Sequence, residues 1–168
     1  MDLVLYPDPI LKKRAVELAV VDDEVRARVR GMFEIMYREN GVGLAAPQVG
    51  WSVRLFVMNA SGPEHPEAER VLVNPTILRG DGSDVDEEGC LSIPDVRGMV
   101  DRQCVVELEA LDANGEAFRE QFEDLPARIV QHEYDHLDGI LFISRLTLAE
   151  KLRVKQALKK LERDYKDR

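Results

Sequence analysis

The stretch QHEYDHLDG, Gln131 to Gly139, carries the pattern H-E-x-x-H. It constrains the chain more than any other feature, because its chemistry works only on a helix. Successive helical residues lie about 100° apart around the axis, so residues four apart sit about 40° from each other. His132 and His136 then face one point and can hold one cation. Glu133 lies one step round, where it reaches a water without being a ligand, the general-base geometry of this motif. The bland alternative is a helix with two solvated histidines. Against it, two of the chain's three histidines fall inside the pattern. Apolar Ile129, Val130, Ile140 and Leu141 flank it and predict burial on one side. The remaining histidine, His65, lies in a Pro/Glu-rich loop and reads as solvated.

Two histidines do not complete a catalytic metal site. A third histidine could follow in the extended pattern H-E-x-x-H-x-x-G-x-x-H. Gly139 fits that spacing, but the last position is Phe142, which binds no metal. Glu150 and Glu162 are downstream carboxylates with ordinary explanations, a capping box and a solvated helix face. Asp135 and Asp138 are too close in sequence to close the site. Of the two cysteines, Cys104 opens an alternating apolar run and reads as core. Cys90, in EEGCLSIPD, follows a glycine that permits close approach of another backbone. Cys90 is the best candidate by elimination. Cys-His-His with an open fourth position is the plan of a catalytic site.

The chain around this motif is ordinary for a globular protein, with 168 residues, 45% of them hydrophobic and 33% charged. No apolar run approaches the ~20 residues that span a bilayer. The start, MDLVLYPDPILKKRA, lacks the features of a signal peptide, so a cytosolic location and no membrane partner are expected. Asp22 or Asp23 can cap a helix that ends near Asn40-Gly41. The glycine-rich GVGLAAPQVG follows as a loop. Val53–Met58 and Val71–Asn74 read as strands, and Arg79 to Asp86 as a second loop. Cys104–Leu111 and Ala117–Phe122 read as strands joined at Asn114-Gly115, a hairpin signal. Asp124, with Pro126 in the first turn, can cap the histidine helix. Thr147-x-x-Glu150 reads as a capping box opening a terminal helix over about 148–164, with the stripe Leu148, Leu152, Leu158, Leu161 and Tyr165. The fold class expected is α+β. One domain over 1–168 sets antiparallel sheets around a central helix carrying the histidines, with N- and C-terminal helices.

Three segments in order, GVGLAAPQ (Gly41–Gln48), EGCLS (Glu88–Ser92) and QHEYDH (Gln131–His136), resemble the signature segments of the peptide deformylase family. YPDPILKKRA and the C-terminal helix fit its type 1-like members too. The resemblance implies a metal-dependent hydrolase that removes the N-formyl group from formylmethionine at the start of new polypeptides and releases formate. Cys90, His132 and His136 would bind one divalent metal, ferrous iron foremost, with zinc, nickel or cobalt also accommodated. A water activated by that metal would be the nucleophile and Glu133 the general acid/base. Gln48 and the Leu91 N–H would form the oxyanion hole. Gly43 and Gly89 would bond the substrate backbone as an added strand. Val42, Leu125 and Ile129 would line the methionine pocket, and Arg97 would reach the peptide. Glu88 would pair with Arg102. Charged Asp86 and Arg128 fall near that apolar pocket and are expected to pair at its rim or to contact the peptide.

Two other function classes were weighed. An H-E-x-x-H peptidase would use a carboxylate or histidine as third ligand. A binding protein that had lost catalysis would lack Glu133 or Gln48, yet both are present. The net charge of −9 is uneven: residues 151–168 hold eight Lys/Arg and three Asp/Glu. An acidic body excludes general nucleic-acid binding. In related enzymes a basic C-terminal helix docks on the ribosome, which makes the ribosome a candidate partner here.

Overall fold

The computed structural model describes residues 1–167. Helix α1 (Asp23–Arg38) starts at Asp22, whose carboxylate accepts from Val25 N at 2.9 Å. It ends as Asn40 turns into the left-handed region (φ 56°). Val25, Val29, Met32, Phe33 and Met36 form its buried stripe at helical spacing. They pack on the end of a five-stranded antiparallel sheet made of β1 (Gly43–Ala45), β2 (Leu55–Met58), β3 (Arg70–Asp81), β6 (Val105–Leu111) and β7 (Ala117–Glu123), in that order. A separate two-stranded ribbon pairs β4 (Asp84–Cys90) with β5 (Ile93–Arg102). Helix α2 (Asp124–Leu137) packs on the sheet through Ala127, Ile129, Val130 and Leu137. Its other side reaches the ribbon through Arg128, His132 and Asp135. Helix α3 (Leu148–Lys166) lies against β5. Among the described residues, no helix is long and apolar enough to cross a membrane.

Several elements differ from the sequence reading. The expected loop Arg79–Asp86 is the end of β3, a tight turn at Gly82 (φ 76°) and the start of β4. The strand β4, DVDEEGC, has no apolar alternation to announce it. Its partner β5 supplies the buried side chains Ile93, Val96 and Val100. Val71–Asn74 is part of the longer β3, and Val53–Met58 shortens to β2. Asp124 does not cap α2. It sits at φ 53°, a left-handed corner between β7 and the helix, and the extended Glu123 precedes it without a side-chain cap.

Only half of the expected capping box at Thr147 forms. Thr147 Oγ1 accepts from Glu150 N at 3.3 Å, but the Glu150 carboxylate accepts from Met99 N of β5 at 3.1 Å and pairs with Arg153. The helix is thereby tied to the ribbon. Its inward face is Val154, Leu158 and Leu161, whereas Leu148 and Leu152 point outward, 75% and 61% exposed.

Gly139 has a structural reason that the extended metal motif did not supply. It ends α2 in the left-handed region (φ 72°), with its N–H on His136 O and the Ile140 N–H on Asp135 O, a Schellman stop. A Cβ there would lie 2.5 Å from the Lys12 carbonyl oxygen. Gly139→Ala is expected to cost more than the ~1–2 kcal/mol of a left-handed non-glycine residue, because the neighbour is backbone. Urea unfolding of the variant measures this.

Candidate metal centre and substrate cleft

The ribbon β4–β5 brings the third candidate ligand, Cys90, to the histidine helix. Its register is regular from Asp84↔Arg102 to Gly89↔Arg97, then breaks, so that Cys90 faces Ile93. Such an irregularity turns a strand and re-aims its side chains. Here it turns Cys90 toward α2. The Cys90 Sγ lies 3.4 Å from His136 Nε2, and the ligand atoms of Cys90, His132 and His136 all lie within 4.8 Å of one another. A sulfur and a nitrogen on one tetrahedral cation stand about 3.5 Å apart. Glu150 and Glu162, the other downstream candidates, are engaged elsewhere, on Met99 N and on the Tyr6 hydroxyl. Among the described residues, Cys90, His132 and His136 form the one group placed to hold a metal ion. His65 lies apart, exposed and against Glu67.

The surroundings fit a cation. The His132 Nδ1–H donates to the Glu88 carboxylate Oε2 at 2.9 Å, which leaves Nε2 for the site. Burial opposes a proton on His132, but the bonds to Cys90 and Glu88 and the charge of Glu133 outweigh it and hold its pKa well above the ordinary value. The same surroundings favour a metal ion. His136 goes the other way: burial and the charges of His132 and Arg102 hold it well below the ordinary value, as a neutral imidazole. Two buried polar atoms, Glu133 Oε2 and His136 Nδ1, find no hydrogen-bond partner in the protein.

Glu133 is 4% exposed, and burial pushes its carboxyl up to about 7. Gly43 of β1 faces it so closely that a Cβ there would lie 2.5 Å from Glu133 Oε1. Gln48 is 1% exposed. Its Oε1 accepts from Ala45 N at 2.8 Å, which fixes the amide so that Nε2 donates to Ser92 Oγ (3.1 Å) and toward Cys90 Sγ (3.5 Å). Leu91 follows Cys90 in the turn of the ribbon, with its side chain over Gly41.

These groups open onto a cleft of about 630 Å³. Val42, Leu125 and Ile129 line it, the first two partly exposed and Ile129 buried. Gly89 and Arg97 form a cross-strand pair along its edge, and the Arg97 guanidinium is held by Glu87 at 2.7 Å. His136 lies behind the cleft wall, against the sulfur.

Glu88 does pair with Arg102, through two bonds of 2.8 and 3.0 Å. These and the bond to His132 overcome burial and hold its carboxyl far below the ordinary range. The expected pairing of Asp86 with Arg128 is not found. Arg128 is buried and donates to Glu88 Oε1, Val100 O and Asp84, while Asp86 stays exposed. Burial decides this: an enclosed guanidinium needs several fixed acceptors, and the ribbon offers them. Sequence reasoning passed over Ser92 and Arg145, and weighed Asp135 only as a metal ligand, which it is not placed to be. Ser92 was quoted within EGCLS. Asp135 and Arg145 gave no signal beyond being charged near the histidines.

The whole chain has relatives of known kind. The family model described as polypeptide deformylase matches residues 1–152. A peptide deformylase of Acidobacterium capsulatum is 44% identical over 161 residues, covering 96% of this chain and 95% of its own length. The chain matches peptide deformylase 1B, chloroplastic/mitochondrial, of Arabidopsis thaliana with 41% identity and spans 62% of that protein's length. A crystal structure of peptide deformylase from Plasmodium falciparum superposes with a TM-score of 0.96 at 42% identity, covering 99% of this chain and 98% of that one. By these matches the chain belongs to the peptide deformylase family.

Proposed function

We propose that the chain hydrolyses the formamide at the N-terminus of formylmethionyl nascent peptides and releases formate. The observation that carries this is the convergence of Cys90, His132 and His136 beside a buried Glu133 and a pre-oriented Gln48 amide. Cys90, His132 and His136 would hold one divalent cation, ferrous iron foremost, with zinc, nickel or cobalt suited to the same donors. When bound, the cation supplies Lewis acidity and makes water acidic enough to react at neutral pH. Glu133 accepts the proton of the attacking water and delivers it to the leaving amine nitrogen as the C–N bond breaks. Its buried carboxyl, held near neutrality, suits both directions of transfer. Gln48 Nε2, turning from the Cys90 sulfur, and the Leu91 N–H donate to the oxygen that gains charge at the formyl carbon. The peptide lies along Gly43 and Gly89, with its methionine side chain against Val42, Leu125 and Ile129. Arg97, at the edge, meets the chain beyond methionine.

Residues 1–168 act as one catalytic unit that includes the basic α3. Lys151, Lys155 and Lys159 of α3 are exposed, beside the outward Leu148 and Leu152. This face suits the ribosome, in a bacterial-type cytosol where formylated chains emerge.

Formate release from formyl-Met-Ala-Ser by anaerobically purified, metal-loaded protein tests the reading. Glu133→Gln is expected to lower kcat by ~10²–10⁴. Gln48→Ala is expected to lower it by ~10²–10³, the range for one oxyanion donor. Cys90→Asp separates this reaction from an H-E-x-x-H peptidase, which would keep its activity. Here the aspartate variant should lose metal and formate release together. For the ribosome, charge reversal at Lys151, Lys155 and Lys159 should abolish co-sedimentation at low salt while leaving peptide turnover intact. Unchanged co-sedimentation would sink the docking proposal.

A further inference from the structure

We infer that Arg145 is a positioning residue for the metal centre, acting on His132 through Asp135, which lies one turn along the same side of α2. This rests on the reading that His132 is a metal ligand. Arg145 grips Asp135 with two prongs, Nε on Oδ2 and Nη2 on Oδ1. Asp135 Oδ2 also accepts from Arg102 Nη1 at 2.7 Å. The remaining nitrogens of Arg102, Nε and Nη2, hold the two oxygens of Glu88. Glu88 Oε2 meets His132 Nδ1 at 2.9 Å. The plane of Arg102 is therefore set by two carboxylates at once. Asp135 serves as the stop on one side because Arg145 fixes both of its oxygens. With Arg145 gone, Asp135 keeps Arg102 alone and can swing, and Arg102, Glu88 and the imidazole lose that stop in turn.

A second contact runs through the backbone of the same segment. Phe142, three residues before Arg145, stacks on His132 with ring centroids 6.1 Å apart at 27°. Leu146, the residue after Arg145, is buried and packs in the core beneath β5. Arg145 thus pins the segment that presses Phe142 on the imidazole, while its charge fixes the partner of the ring's far nitrogen. Bonded neighbours of a ligand hold its orientation, and their loss typically weakens metal affinity by ~10–100-fold.

Arg145 can be replaced without emptying the core. Its side chain is 42% exposed and borders a polar cavity of about 430 Å³, from which water can reach Asp135. The variants are Arg145→Ala and Arg145→Lys, with Val29→Ala, in the distant α1 core, as a control for general loss of stability. Each is loaded with cobalt. Its visible spectrum, its rate of cobalt loss to a chelator, kcat and KM for formyl-Met-Ala-Ser, and thermal unfolding are measured.

Arg145→Ala should shift the cobalt bands, speed metal loss by ~10-fold or more and lower kcat with little change in KM. Arg145→Lys should recover only part of this, since an ammonium cannot make the two-pronged contact. Val29→Ala should leave spectrum and metal loss unchanged. The inference is overturned if Arg145→Ala matches the parent in spectrum and metal loss, or if Val29→Ala reproduces its effects. A parent protein whose cobalt spectrum lacks thiolate charge transfer would instead count against the ligand set itself.

Discussion

The carboxylate of Glu88 is the pivot of this molecule. It is 5% exposed and accepts from Arg102 twice, from Arg128 once, and meets the His132 imidazole. An unpaired charge so enclosed would cost several kcal/mol. Pairing it ties the hydrogen-bonded ribbon to the histidine helix: β4 carries Glu88, β5 carries Arg102, and α2 carries Arg128 and His132. Hydrophobic packing holds α2 on the five-stranded sheet. On the ribbon side the polar network sets the distance and angle at which Cys90 faces the histidines. Apolar contacts are indifferent to small slides, whereas hydrogen bonds to a planar guanidinium are not. Tolerances of a few tenths of an ångström at the metal centre therefore depend on an ionic core rather than an oily one.

Helix α1 and the hairpin of β6 and β7 were legible because each obeys a local rule. A cap and a 3.6-residue stripe marked α1. Asn114-Gly115 marked the turn, where Gly115 takes φ 78° and Asp112 accepts from the N–H groups of Asn114 and Glu116. The ribbon strand β4 was illegible because its side chains are acidic on both faces. It exists through its partner and through the arginines that neutralise Glu88 and Asp84, which are distant in sequence. The outward turn of Leu148 and Leu152 was hidden for a related reason. Periodicity gives a stripe but not which neighbour it meets, and β5 contacts the stripe centred on Val154 instead.

At the site, residue types with strong chemical signatures were readable. The H-E-x-x-H spacing and Cys90 named a candidate ligand set whose donor atoms the fold brings within 4.8 Å of one another. Gln48 and the glycines came only through resemblance, since an amide or a glycine has no spacing that betrays its use. Arg128 shows the limit most clearly. A charged residue beside an apolar pocket suggested the rim, but the chain buries it in the cleft wall with all its acceptors supplied by the ribbon.

Gly43 belongs to the strand along which a peptide would lie, yet the space where its Cβ would stand is already taken by the Glu133 carboxylate. The strand proposed to align a substrate and the carboxylate proposed as its base are thus separated by a single hydrogen atom. Neither can drift without the other. A larger side chain at Gly43 is closed off from behind, whereas Val42 and Leu125, at the cleft's exposed edge, have room to change.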